Sequence, residues 1–489
     1  MDMNRIDMAA RLNSLFADFG KAFIRDARSG RCWTRGDFES AALCLASVLR
    51  DRVGGCDVPR IAVLCDNSPD VLVLYWAVLL IGGVVLPIDR QKGVDEVRKI
   101  LEDTKPNILV CDEECSYVPA SLQILRCDLV RMAETATPFG FHGYGSLDLE
   151  RDYLVVFTSG STDVAKGVVH SFGNLYRSAM SFSAEFGFSH DNTFFHNFPM
   201  SFMAGILNTF IMPLVSGSRL AVGDRQSVPA AFGFWRQVIS CEADTFWFNP
   251  TFCNMLLKLD RSSLGVEYCA GRKIVACIGT APLDDRTKED FERRYGFELF
   301  ESFGLSETLF ISTNTPRFPR VAGSVGVLLD GAEVRIADDG ELLVSAPWML
   351  KQYVQKEFSC KIPFPTGDIG YVKDGNLFIS GRKKDLIIKG GVNVSPRKIE
   401  KFLSSICPEM DMVAVVGCRD GLMGELTVCY FTGAQLTLDS QKRINGALRQ
   451  SLGKDYVVDK FVHIQDMPLN HNGKIDKLAL KAGTMEDGI

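Results

Sequence analysis

The sequence predicts an α/β protein in which a large N-terminal domain of wound sheets precedes a small α+β C-terminal domain. Two observations carry that expectation. Apolar, β-branched runs ending in a glycine or polar turn recur as 60-RIAVLCDN-67, 107-NILVCDE-113, 153-YLVVFTSG-160 and 272-RKIVACIG-279, with helix-like stretches between them. Such alternation is the pattern of strands buried between helices. Beyond residue 376 the texture changes: 376-NLFISGRKKDLIIKGGVNVSPRKIEKFL-403 is basic and glycine-rich, with short strands and then a helix that Ser395-Pro396 would start. The runs VAVVG and TVCYF, a helix near 440–452 and FVHI complete a unit of about 105 residues, an ordinary domain size. The boundary falls near Arg382–Lys384, giving domains over 1–381 and 382–489.

Along the chain, the N-terminal MDMNRIDMAARLNSLF has acidic residues and no apolar core of a signal peptide. Residues 71–88, VLVLYWAVLLIGGVVLPI, carry no charge and just reach the length of a membrane span. Ser68-Pro69 before them reads as a helix cap and first turn, and Gly82-Gly83 breaks the run, so a buried helix followed by a parallel strand is expected and no membrane span. The tail TMEDGI holds no lipidation signal. Hydrophobic residues at 46% and charged residues at 23% fit a soluble globular protein, and a net charge of −6 argues against a nucleic-acid partner. Fifteen cysteines without a repeated C-x-x-C spacing read as reduced thiols of a cytoplasmic protein, with neither a disulfide framework nor a zinc site.

The stretch 158-TSGSTDVAKG-167 follows an apolar strand at 153–157 and precedes a helical stretch, NLYRSAMSFSAEF. Its hydroxyls, glycines and lysine suit an anion nest that holds phosphate. It is not a Walker loop, because Ala165 and Gly167 stand where that pattern needs glycine and Ser or Thr. Taken alone it is as readily an ordinary turn. Four further stretches accompany it in order: 301-ESFGLSET-308, 366-TGDIGYV-372, 381-GRKKDLIIKGG-391 and 468-PLNHNGKIDK-477.

In this order the five stretches resemble the AMP-binding, adenylate-forming superfamily of acyl-CoA synthetases, peptide-synthetase adenylation domains and luciferases. The resemblance spans nearly the whole chain and includes the block 61–89. It implies an enzyme that binds ATP with Mg2+, activates a carboxylate as acyl-AMP with release of pyrophosphate, and passes the acyl group to a thiol. By resemblance, Thr158, Ser159, Gly160, Ser161, Thr162 and Lys166 hold the terminal phosphates. Gly279, Thr280, Ala281 and Pro282 run along the adenine; Phe303, flanked by Ser302 and Gly304, stacks on the base. Ser306 bonds a phosphate oxygen, Glu307 holds the metal, and Asp368 and Arg382 reach the ribose. Lys474 bridges the substrate carboxylate and the α-phosphate. Lys384 marks a hinge about which the small domain moves, and Gly390 and Gly391 line the thiol tunnel. Singly, each has a plainer reading: Lys474 and Lys384 as solvated lysines, Glu307 as a helix-start carboxylate, Phe303 as core, Asp368 as a turn residue. Asp163 and Ala165 stand where the family has glycine and proline, and Ser306 where it has threonine.

The substrate pocket is expected around 197-NFPMSFMAGILNTF-210, with Phe198, Met200, Phe202, Met203 and Gly205 facing an apolar acyl group. No acidic residue lies between Asn197 and Leu214 to pair an α-ammonium, which would be costly to bury alone. A small-molecule acid without an α-amine is therefore expected. His196 is expected to be a satisfied core histidine. No sequence follows residue 489 to supply a fused carrier, so the thiol is CoA or the phosphopantetheine of a separate carrier protein. The remaining alternative is a non-catalytic or regulatory protein on a ligase scaffold.

Overall fold

In the computed structural model, residues 3–158, 166–355, 361–389, 392–420, 424–469 and 475–486 are described. Among them, strands form three sheets. The longest contains a parallel run, Ala22–Asp26, Arg219–Val222, Thr193–His196, Thr245–Phe248, Val275–Ile278 and Leu299–Leu305, and continues into antiparallel strands that end in Phe364–Lys373 and its neighbours. A second sheet is parallel at Val84–Pro87, Arg60–Leu64, Ile108–Cys111 and Gln123–Leu125. The third, in the C-terminal region, joins Ile387–Lys389, Val392–Val394, Met410–Asp420, Gly424–Gly433 and Lys460–His463.

The uncharged run is buried within the fold. Ser68 caps the helix Pro69–Leu80 by accepting from the Asp70 amide, with proline in the first turn. All but Asp70 of that helix is buried, and the next strand, Val84–Pro87, pairs in parallel with Arg60–Leu64. No helix among the described residues is long and apolar enough to cross a membrane. Every described cysteine is a free thiol.

The helical stretch expected from Asn174 onward is present, though it is not the next element after Asp152–Thr158. A strand, Lys166–Ser171, comes first and pairs antiparallel with Asp152–Thr158; the helix Phe172–Phe186 follows, capped by Ser171. The β-branched pair Val168-Val169 lies at the centre of Lys166–Ser171, opposite Val156 and Val155 of the strand just before it.

The strand Asn376–Arg382 belongs to the long sheet, and Ile387–Lys389 belongs to the small one, with the short turn Lys383–Asp385 between them. Helix Pro396–Ile406 starts at the expected proline, yet Ser395 does not cap it. The Ser395 hydroxyl instead donates to the Ser380 carbonyl of the long sheet, 2.8 Å away. Lys401 pairs with Asp285 at 2.9 Å, and Arg286 donates to the Pro408 carbonyl, so polar contacts seat this helix against Asp285–Tyr295. Its apolar side, Ile399 and Leu403, packs with Ile387, Val415 and Leu448 in the core of the small domain. Leu403→Ala, removing a fully buried side chain, is expected to cost the small domain about 2–5 kcal/mol. Hydrogen exchange should register the loss in Ile387–Lys389 and Met410–Asp420 and leave the parallel strands of the long sheet protected.

Candidate active site

Chain segments that leave the strands of the long sheet and of the second sheet enclose a cavity of about 990 Å3. Crevices at the carboxyl ends of parallel strands are where open α/β sheets hold ligands. Thr158 and Lys166, which bracket the donor-rich segment, both line it. Ser159, Gly160, Ser161, Thr162, Asp163 and Ala165 lie outside the described residues.

The segment 301–309 is shaped by backbone contact. A Cβ on Gly304 would stand 2.0 Å from the Leu309 carbonyl oxygen, so no other residue fits without moving the chain. Leu309 is held at φ +53, a left-handed conformation strained for a branched side chain. The Leu305 amide donates to the Thr308 hydroxyl. The outcome is a tight turn that sets Leu305, Ser306 and Glu307 on the cavity wall beside Ser302 and Gly304. Gly279 and Thr280 line the same wall, Thr280 at φ +69, while Ala281 and Pro282 follow outside the lining.

Two side chains not foreseen from sequence hold this turn. His170 donates through Nε2 to the Ser306 carbonyl, 2.7 Å away, from a fully buried position. Burial pushes its pKa down to about 4, so the ring is neutral at physiological pH. The Tyr353 hydroxyl donates to Glu307 Oε1 at 3.2 Å, and the Leu350 amide to the Glu307 carbonyl. Among the described residues no cluster of three metal-ligating side chains exists. The Glu307 carboxylate on the cavity wall nevertheless fits magnesium, which is usually held by one or two carboxylates together with substrate phosphates.

Asp368 is buried and pairs with Arg382 across neighbouring strands, Oδ1 to Nε 2.8 Å. Arg382 reaches the cavity wall together with Thr366, Gly367, Lys383 and Lys384, whereas Asp368 stands behind it. Lys383 is engaged by Asp339 and Glu341. Phe303, expected to stack on the base, is not among the residues that line the cavity. It alternates to the other side of its strand, off the cavity lining, and packs partly buried against clusters that include Ile311, Val344 and Leu377. Lys474, Gly390 and Gly391 lie outside the described residues. Leu469 and Ile475, which bracket the segment carrying Lys474, pair through an antiparallel bridge, and Leu469 lines the cavity.

Of the expected substrate pocket, Phe198, Phe202 and Met203 line the cavity. Met200 and Gly205 do not. Met200 is core, its amide held by Asn67 and its carbonyl by Tyr75, and Gly205 sits against the Pro199 carbonyl. His196 is buried and bonded to Thr209, as expected, with its pKa pushed down to about 4 by burial. The apolar wall shares the cavity with polar residues that the sequence did not flag: Gln91, Arg225, Gln226 and Asn249. Arg225 is gripped by both oxygens of Asp89, at 2.9 and 3.0 Å, and Asn249 donates to Gln226 at 2.6 Å.

The sequence matches the AMP-binding enzyme family over residues 19–354 and the AMP-binding enzyme C-terminal domain over 398–474. The chain belongs to that family. It is 25% identical to a mitochondrial malonate–CoA ligase of Xenopus laevis, over 86% of this chain and 82% of the relative. To a 2-succinylbenzoate–CoA ligase of Bacillus pumilus it is 26% identical, over 87% and 88%, and to a sulfoacetate–CoA ligase of Cupriavidus necator 28%, over 67% and 66%. Its fold is that of ATP-bound MatB from Rhodopseudomonas palustris, with TM-score 0.87, 24% identity and coverage of 98% of this chain and 99% of the other.

Two outcomes follow from the turn. Gly304→Ala should weaken binding of ATP by about tenfold or more in direct titration, since a displaced backbone loses several preset donors. Because folded His170 titrates near 4 and an unfolded histidine near 6.5, its contribution to stability is complete above pH 6.5 and is lost as pH falls towards 4. His170→Asn should therefore flatten the decline of unfolding free energy across that window in denaturant titrations.

Proposed function

We propose that this AMP-binding enzyme is an acid–CoA ligase whose acid carries a second acidic group and no α-amine. The observation that carries the reading is Arg225, a guanidinium on the cavity wall held in one orientation by buried Asp89. Arginine has five N–H donors in a planar fork, so two bonds to Asp89 leave donors for a ligand. Malonate, 2-succinylbenzoate and sulfoacetate, the acids named for the relatives, all have a second carboxylate or a sulfonate. Gln226 and Asn249 supply neutral hydrogen bonds nearby, and the aromatic wall of Phe198, Phe202 and Trp247 packs the carbon skeleton between the two acidic ends.

The reaction divides into two displacements. The substrate carboxylate oxygen attacks the α-phosphorus of ATP and pyrophosphate leaves; the CoA thiolate then attacks the acyl carbon and AMP leaves. The work of the protein is to place two anions in contact and offset their charge. Thr158 and Lys166 would hold the terminal phosphates, Ser306 a phosphate oxygen, and the Gly279–Thr280 turn the adenine. Arg382, tied to Asp368, would reach the ribose. Magnesium, when bound, offsets phosphate charge, and Glu307 is the residue that would hold it. Lys474 is assigned the contact between carboxylate and α-phosphate. A pivot at Lys384 would let the small domain exchange that lysine for the thiol tunnel at Gly390 and Gly391. The CoA ligases among the relatives favour free CoA over a carrier protein.

Pyrophosphate release with ATP and Mg2+ tests the reading. Malonate, succinate and sulfoacetate should support it far better than propionate or butyrate, and Lys474→Ala should abolish it. Arg225→Met should cost roughly ten- to a hundredfold in kcat/KM for the doubly acidic substrate, the scale of a lost hydrogen bond between charged groups. Equal use of monoacids by the wild type would refute the second-acid assignment.

A further inference from the structure

We propose that Tyr353 is a positioning residue that presents Glu307 and Lys166 together to the metal–triphosphate end of the crevice. This rests on the reading that Glu307 holds the metal. Three contacts converge on the short strand Gln352–Tyr353. Its backbone pairs antiparallel with Val168 and Val169 of the strand that begins at Lys166. The two residues that follow reinforce the join: the Val354 amide donates to the Gly167 carbonyl, and the Gln355 side chain accepts from the Gly167 amide. Just before it, the Leu350 amide donates to the Glu307 carbonyl. One strap thus fixes the foot of the phosphate segment and the turn bearing the carboxylate.

The Tyr353 side chain links the same two places. Its ring is seated among Val168, Ile311, Val344, Met349 and Phe364, which leaves the ring little freedom to turn. From that seat the hydroxyl donates to Glu307 Oε1 at 3.2 Å. A hydrogen bond to a carboxylate is among the stronger kinds and selects one rotamer of a flexible side chain. It occupies one lone pair and leaves the other oxygen for a cation. The Lys166 ammonium stands over the ring face, 5.9 Å from its centre, within reach of a cation–π attraction. Hydroxyl and ring therefore have separable duties, one towards the metal-holding carboxylate and one towards the phosphate-holding ammonium.

Two substitutions separate them. Tyr353→Phe keeps the ring and deletes the donor; Tyr353→Leu deletes both. The probe is a non-cleavable ATP analogue, α,β-methylene-ATP, titrated alone and with Mn2+, with free Mn2+ followed by electron paramagnetic resonance. Tyr353→Phe should weaken binding of the Mn2+ complex by about tenfold or more, in keeping with a lost bond to a charged group, while the metal-free analogue binds as to the wild type. Tyr353→Leu should weaken both. Unchanged binding of the Mn2+ complex to the Phe variant, or equal weakening with and without metal, would overturn the proposal. Should Glu307→Gln bind the Mn2+ complex like the wild type, the metal assignment itself falls and takes this inference with it.

Discussion

Three of the cations along the crevice, Arg225, Arg382 and Lys383, are tied to carboxylates. Asp89 grips Arg225, Asp368 grips Arg382, and Asp339 with Glu341 engages Lys383. Asp89 and Asp368 are buried, so an unpaired state of either would be costly and the pairs are fixed before any ligand arrives. The arrangement gives a polyanionic nucleotide and an anionic acid a set of oriented donors without the repulsion and mobility of bare lysines. It also explains why the crevice needs two sheets. Asp89 follows a strand of the second sheet and Arg225 a strand of the long one, so the pair forms only when both sheets are docked.

The opposite requirement, close approach without side chains, shapes the other wall. Gly304 lies under the Leu309 carbonyl, and Leu309 and Thr280, both at positive φ, bend the chain along the cavity wall. Strain of this kind persists where surroundings over-determine it. Here His170 below Ser306 and Tyr353 beside Glu307 do so, one as a neutral buried donor and one as an anchored hydroxyl. Small-domain contacts such as Lys401 with Asp285 are exposed and weak by comparison.

Much of this was legible in the sequence because its signals are local. Ser68-Pro69, Gly82-Gly83 and Ser395-Pro396 mark element ends through the chain's own geometry; the stretch at 301 forms a strand and its turn, that at 366 lies within the strand Phe364–Lys373, and that at 381 joins two sheets. What escaped was contact across long separation. Arg225 with Asp89 and His170 with Ser306 each span 136 residues, and nothing near His170 distinguishes it from a core histidine. Phe303 lies off the cavity lining because strand alternation puts it opposite Ser302 and Gly304, a face that spacing within one motif does not reveal. Met200 and Gly205 lie off it for a related reason: the pocket segment turns its backbone towards Asn67, Tyr75 and Pro199.

A crystal structure with a non-hydrolysable malonyl-adenylate mimic tests the account most directly. It should place the base along Gly279–Thr280, with the distal carboxylate within hydrogen-bonding distance of Arg225 while the Asp89 pair stays intact. A distal carboxylate turned to solvent, or a base bound away from that wall, would contradict it.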